Sequence, residues 1–92
     1  MIIIELPIVY PTEDYLEKLE IGVKVELKVD SDSMKTTFYV PDGMAMTVSD
    51  TSNKDVSILT IDGEMVYYVE CDYDTLNCTI GNAIKKAESG SL

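Results

Sequence analysis

A chain of 92 residues is long enough for one domain, 1–92, and no more. Seventeen Asp and Glu against seven Lys give a formal charge of −10, and Arg, His, Trp and Gln are absent. Direct binding to nucleic-acid phosphates, which leans on Arg forks and basic patches, is thereby disfavoured, as is attraction to an anionic membrane surface.

Hydrophobic residues make up 46% of the chain, enough to fill one modest core, so disorder is not the expectation despite the charge. The beginning, Met1-Ile2-Ile3-Ile4-Glu5, lacks the basic segment of a secretory signal, and no apolar run approaches the roughly 18 residues of a membrane span. The expected setting is cytoplasmic, with Cys71 and Cys78 as reduced thiols.

In chain order, 2–6 is a short β-type run, broken by Pro7 and Pro11. Thr12 suits the N-cap of a short helix over 13–19, with Tyr15, Leu16 and Leu19 on one side and Gly22 at its end. Over 23–29, Val23, Val25, Leu27 and Val29 alternate with Lys24, Glu26 and Lys28, the pattern of a half-buried strand. A turn at 31–34 leads to a strand over 35–40. Pro41-Asp42-Gly43 fits a three-residue hairpin loop into a strand over 44–48. The polar stretch 49–55 reads as a loop. Strands over 56–61 and 65–71 meet at Asp62-Gly63, a two-residue hairpin signal.

These turns predict registers: Leu27 opposite Phe38, Phe38 opposite Met46, Ile58 opposite Tyr67 and Val56 opposite Val69. All place apolar residues on one face. From Asp74, a good N-cap, the residues Leu76, Ile80, Ala83, Ile84 and Ala87 recur at helical spacing, with Lys85 and Lys86 suited to the last turn and Gly90 as the stop. The predicted fold is α+β: an antiparallel five- to six-stranded meander packed by a C-terminal helix, with a short N-terminal helix.

Chemistry is sparse. Without His the usual near-neutral acid–base group is missing, and neither Cys71 nor Cys78 has a His to activate it. No catalytic residue is therefore assigned, and no enzyme activity or cofactor is expected. Asp30-x-Asp32 and Asp72-x-Asp74 resemble fragments of a calcium loop but lack its third ligand and its Gly; the simpler reading is solvated turn carboxylates, and no metal site is assigned.

Placement of the acids is more informative. A meander gathers the turn at 30–34, the loop at 49–55 and the exit at 72–74 at one end, which collects Asp30, Asp32, Asp50, Asp55, Asp72 and Asp74. The opposite end holds Asp42, Asp62 and Glu64. The hairpin register also sets Asp55 opposite Glu70, a like-charge pair that destabilises a ladder. Asp30, Asp32, Asp50, Asp55, Glu70, Asp72 and Asp74 are the candidate partner-binding residues, against the alternative that they serve solubility alone. Leu59, Ile61, Val66 and Tyr68, on the other face, look too apolar to be bare. With Ile2 and Ile4, which can add to a sheet edge, they form a candidate homodimer interface, unless the N-terminal segment already covers that face.

In size and charge alone, the chain resembles the small acidic proteins that viruses and mobile elements use as inhibitors. Uracil-DNA glycosylase inhibitors and certain anti-CRISPR proteins of this kind imitate DNA. The resemblance covers composition, not residues, and carries no site across. It implies a basic, nucleic-acid-binding protein as partner, in the host cytoplasm if the chain is viral. The alternative is a small structural or assembly subunit of a virion or multiprotein complex.

Overall fold

The computed structural model describes residues 1–30 and 32–89. Its elements are β1 (Ile2–Val9), α1 (Glu13–Glu20), β2 (Met34–Val40), β3 (Met46–Asp50), β4 (Ser57–Ile61), β5 (Met65–Val69) and α2 (Tyr73–Ser89). The five strands form one antiparallel sheet in the order β2-β1-β5-β4-β3, with α2 packed on it. The α+β class, the C-terminal helix and the short N-terminal helix are as the sequence predicts. The connectivity is not a meander.

The first correction concerns β1. Ile2 to Val9 is not a short run at the margin but an eight-residue strand, paired with β2 along its length and with β5 at its end. Pro7 does not break it. The Pro7 carbonyl accepts the Glu70 N–H at 2.8 Å, and the N and C=O of one strand residue point to the same side. The donor that proline lacks therefore faces β5 and not β2, so the β1–β2 ladder loses no bond.

The second correction concerns 23–29, which joins no ladder. It is an extended arm with a single bridge, Val29 to Pro11. Backbone bonds from Thr12 N–H to the Lys28 carbonyl and from Asp30 N–H to the Tyr10 carbonyl, both 3.0 Å, hold it to the end of β1. The predicted pairing of Leu27 with Phe38 is replaced by Ile4 with Phe38.

The third concerns 41–45, which is no hairpin. It links the two edges of the sheet, β2 and β3, so Phe38 and Met46 are not paired. That link dictates how the sheet bends. β1 and β5 share only the pairs Ile8–Val69 and Val9–Tyr68. Val40 lies level with Ile2, whereas Met46 lies level with Ile61 and Met65. In a flat sheet these levels would be about 33 Å apart along the strands. The six steps from Val40 to Met46 span at most about 22 Å. The sheet must therefore fold at its narrow join, turning the β1–β2 ladder toward the β5–β4–β3 ladder as the two arms of a wedge. The rings of Phe38 and Tyr67 meet edge-on inside it, their centroids 4.7 Å apart.

The fourth correction is a one-residue slip between β4 and β5. Leu59 pairs with Tyr67 and Ser57 with Val69. Asp62 and Gly63 both take positive φ, 58° and 71°, as this turn signal requires, but the ladder resumes at Met65 and not at Glu64. A slip of one residue exchanges the faces. Leu59 and Ile61 thus join Val69, which keeps its expected face, and Ile2, Ile4, Leu6, Ile8, Phe38, Val40, Leu76 and Ile80 in the main core, while Val56 moves to a small second cluster with Val9 and Leu27.

The helices follow their local signals. The Thr12 hydroxyl accepts the Tyr15 N–H at 3.3 Å. The end of α1 is a Schellman turn, in which Gly22 N–H bonds Leu19 O and Val23 N–H bonds Lys18 O, with Gly22 at φ 81°. No residue of α1 is buried, Leu16 and Leu19 included. α2 buries Leu76 and Ile80, and Ala83, Ile84 and Ala87 pack beside them. Its cap is Asp72, not Asp74: the Leu76 N–H bonds the Asp72 carbonyl at 3.0 Å and the Thr75 N–H bonds the Asp72 carboxylate at 3.2 Å. The predicted stop at Gly90 and the turn residue Ser31 lie outside the described residues.

Candidate functional site

The bend at the β1–β5 join turns the middle row of the sheet into one end of the molecule. Met34, Ile8, Val69, Ser57 and Asp50 form a single row across all five strands. From this row the chain leaves into the arm, the 51–56 loop and the start of α2. The end that the sequence predicted to collect acids exists, although a different topology builds it.

The 51–56 loop is braced from within. The Thr51 hydroxyl shares its one proton between the carbonyls of Val56 at 2.8 Å and Asn53 at 2.9 Å, and it accepts the Asn53 N–H at 3.1 Å. Asn53 Oδ1 accepts the Asp55 N–H at 3.0 Å, an Asx turn that fixes where Asp55 stands. The loop also holds the arm: Ser52 Oγ accepts the Leu27 N–H at 2.8 Å, and Asn53 Nδ2 donates to the Leu27 carbonyl at 3.1 Å. Below it, Ser57 is fully buried and donates to the Cys71 carbonyl at 2.7 Å, tying β4 to the exit of β5.

These restraints surround a concavity of about 490 Å³ lined by Asp30, Asp55, Glu70 and Asp72, with Val29, Asn53, Val56 and Cys71 between them. The four acidic residues come from three stretches of chain: the arm, the 51–56 loop and the exit from β5. Among the described residues, no Lys ammonium lies within 4 Å of any of them; the ion pairs present are Lys18–Asp14, Lys35–Glu5 and the Met1 amino group with Asp42. Asp32, Asp50 and Asp74 lie outside the concavity: Asp32 follows the arm, Asp50 ends β3 and Asp74 stands in the first turn of α2. Asp55 and Glu70 border one hollow but are not ladder partners, since the β4–β5 pairing begins at Ser57 and Val69.

Local chemistry sets the charge here. The Thr75 hydroxyl and N–H donate to the Asp72 carboxylate and hold its pKa below the ordinary value. Burial, and then the Asp72 charge, push the Cys71 thiol above its ordinary value. That direction is opposite to the one an activated nucleophile needs. Cys71 and Cys78 are both free thiols. Among the described residues, no group of three or more His, Cys, Asp or Glu is disposed to hold a metal ion, and no helix is long and apolar enough to cross a membrane.

The candidate dimer face is not a surface. Ile2, Ile4, Leu59 and Ile61 are buried within the single chain, under α2 and between the arms of the wedge. Tyr68 packs half-buried against the second cluster, and only Val66, at 53% exposure, is open. The one-residue slip and the central place of β1 account for the difference. Sequence reasoning missed Ser52, Asn53 and Ser57. Their residue types signal turns and caps, but the backbone groups they hold lie 14 to 26 residues away. No protein-family model, curated protein or solved structure matches the chain.

Proposed function

We propose that this domain is a non-catalytic binding protein, a small acidic inhibitor or DNA mimic. Its Asp30–Asp55–Glu70–Asp72 end would enter a basic site on a nucleic-acid-binding protein. The observation that carries the reading is that these four acidic residues line one hollow, with no Lys ammonium within 4 Å of their carboxylates among the described residues. A basic partner would supply the cations that this hollow lacks. Three are anchored through their own backbone N–H groups: Asp30 to the Tyr10 carbonyl, Glu70 to the Pro7 carbonyl and Asp55 to Asn53. Asp72 caps α2. Backbone held in place beneath the charges limits the ordering cost of binding, and a dense negative surface speeds encounter with a basic partner. A basic cleft built for B-DNA expects one negative charge per about 1.7 Å of helix axis. Asp32, Asp50 and Asp74 would extend the charged surface around the hollow.

The test is capture from host lysate at low and moderate salt, followed by titration of the captured protein. The combined variant Asp30→Asn, Asp55→Asn, Glu70→Gln, Asp72→Asn should fold, because Asn still caps a helix, and should lose most of its affinity. Duplex DNA should compete for the same partner, and affinity should fall steeply with salt, since exposed ion pairs are screened over about 8–10 Å. Unchanged affinity of the amide variant would defeat the reading.

A structural or assembly subunit is the second reading. The observation favouring it is Ile3 and Tyr39, paired and outward-facing at 58% and 65% exposure beside the open edge of β2. Association that persists at high salt separates it from the first.

A further inference from the structure

We propose that β2 is a self-association edge, on which a second copy of this chain pairs its own β2 antiparallel about Thr37 to make one continuous sheet. The inference deepens the assembly reading and is independent of the acidic-end reading.

The backbone comes first. β2 is an outermost strand, seven residues long, and β1 occupies only one of its sides. The bond from Glu70 to the Pro7 carbonyl turns the backbone groups of Ile3, Glu5 and Pro7 toward β5, so those of Ile2, Ile4, Leu6 and Ile8 turn toward β2. Their partners Val40, Phe38, Thr36 and Met34 bond inward. The N–H and C=O groups of Lys35, Thr37 and Tyr39 therefore face away from the sheet. An extended strand is the structure that satisfies such a row. Pairing about Thr37 sets Thr37 against Thr37 and Lys35 against Tyr39 of the copy, and it makes about six N–H···O bonds.

Charge selects the occupant. The chain carries −10, yet β2 has no acidic residue. Its single charge, Lys35, is the residue type that guards sheet edges, and its ammonium is drawn 3.2 Å from Glu5 within its own sheet. The other edge, β3, is shorter, ends in Asp50 and lies against α2. Antiparallel pairing also sets Met34, at the acidic end, beside Val40 of the copy. The two acidic ends are then separated by roughly 20 Å along the strands, about twice the Debye length. The outward Tyr39 and Ile3 would gain cover from the Lys35 stem of the copy.

Sedimentation equilibrium of the full chain over about 1–200 µM at moderate salt tests this. The expected result is a monomer–dimer equilibrium within that range, little changed by added salt. Thr37→Pro removes an outward donor and no bond to β1; Thr37→Lys puts two ammonium groups across the axis, while each faces Glu5 within its own sheet. Each should weaken dimerisation about tenfold or more, and at concentrations where the parent is monomeric Thr37→Lys should melt with it. If either variant fails to fold, amide exchange of the parent decides: Lys35, Thr37 and Tyr39 should gain protection as concentration rises. A parent that stays monomeric throughout, folded variants that dimerise like the parent, assemblies that grow without closing, or exchange at these amides that ignores concentration would each overturn the proposal.

Discussion

The segment with the cleaner strand pattern makes the weaker structure. Residues 23–29 alternate apolar and charged without a fault, yet they join no ladder. Ile2–Val9 carries two apolar residues, Ile3 and Val9, where alternation wants polar ones, and a proline besides, yet it becomes the strand between β2 and β5. Alternation states that a stretch is extended and half-buried, and both stretches obey. The arm buries Leu27 and half-buries Val25 and Val29 while Lys24, Glu26 and Lys28 stay exposed. Alternation does not state what lies across the backbone. β1 finds two strands and the underside of α2; the arm finds Ser52, Asn53 and the end of β1.

If that contrast is right, the two regions differ in what they contribute to stability. Leu59, fully buried where the wedge closes, should cost about 3–5 kcal/mol as Leu59→Ala and lower the denaturant midpoint of the whole domain. Leu27→Ala, equally hidden but in the small cluster with Val9 and Val56, should cost nearer 2 kcal/mol, because the arm can settle into the space. Equal losses in urea unfolding would break the comparison.

Asn53→Ala sharpens it. The substitution removes the donor to the Leu27 carbonyl and the acceptor of the Asp55 N–H, an expected loss of about 1–2 kcal/mol. Hydrogen exchange should quicken at Leu27, Asp30 and Thr12, the amides that tie the arm down, and stay slow through Ser57–Ile61. Exchange that rises equally in both places would mean that the arm and the sheet open as one unit.

The smallest effect is electrostatic. The Asp72 carboxylate has a lowered pKa because Thr75 donates to it. Its contribution is present above the ordinary carboxylate range and is lost as pH falls through the lowered value. Acid should therefore loosen the first turn of α2 below that range while leaving the arm's backbone bonds intact. The Thr75 amide resonance should titrate with a midpoint below that of an ordinary Asp, and Asp72→Asn should flatten the curve while keeping the cap. A Thr75 midpoint at the ordinary value would show that the cap bond is not formed in solution.

Much was legible from local physics. Thr12 and Gly22 bound α1 because capping needs only a hydroxyl and a residue free to take positive φ. The spacing of Leu76, Ile80, Ala83 and Ile84 gave α2 and its buried side. Asp62-Gly63 gave the β4–β5 turn, and the acids of the loops did gather at one end. Pairing was decided in tertiary structure. Three turn choices agreed with one another and still produced the wrong neighbours for β2, because each tested only whether apolar residues could share a face, and many registers allow that. What chose among them was distant in sequence: β1 taking the edge that the alternation of 23–29 predicts for the arm, and a short 41–45 link that folds the sheet into a wedge. The one-residue slip after Gly63 then exchanged the faces, making a core of Leu59 and Ile61 where the sequence suggested a surface. Side-chain period and capping act within a few residues, so sequence carries them openly. Ladder partners are settled by the burial of the whole chain at once, and only the folded molecule records that outcome.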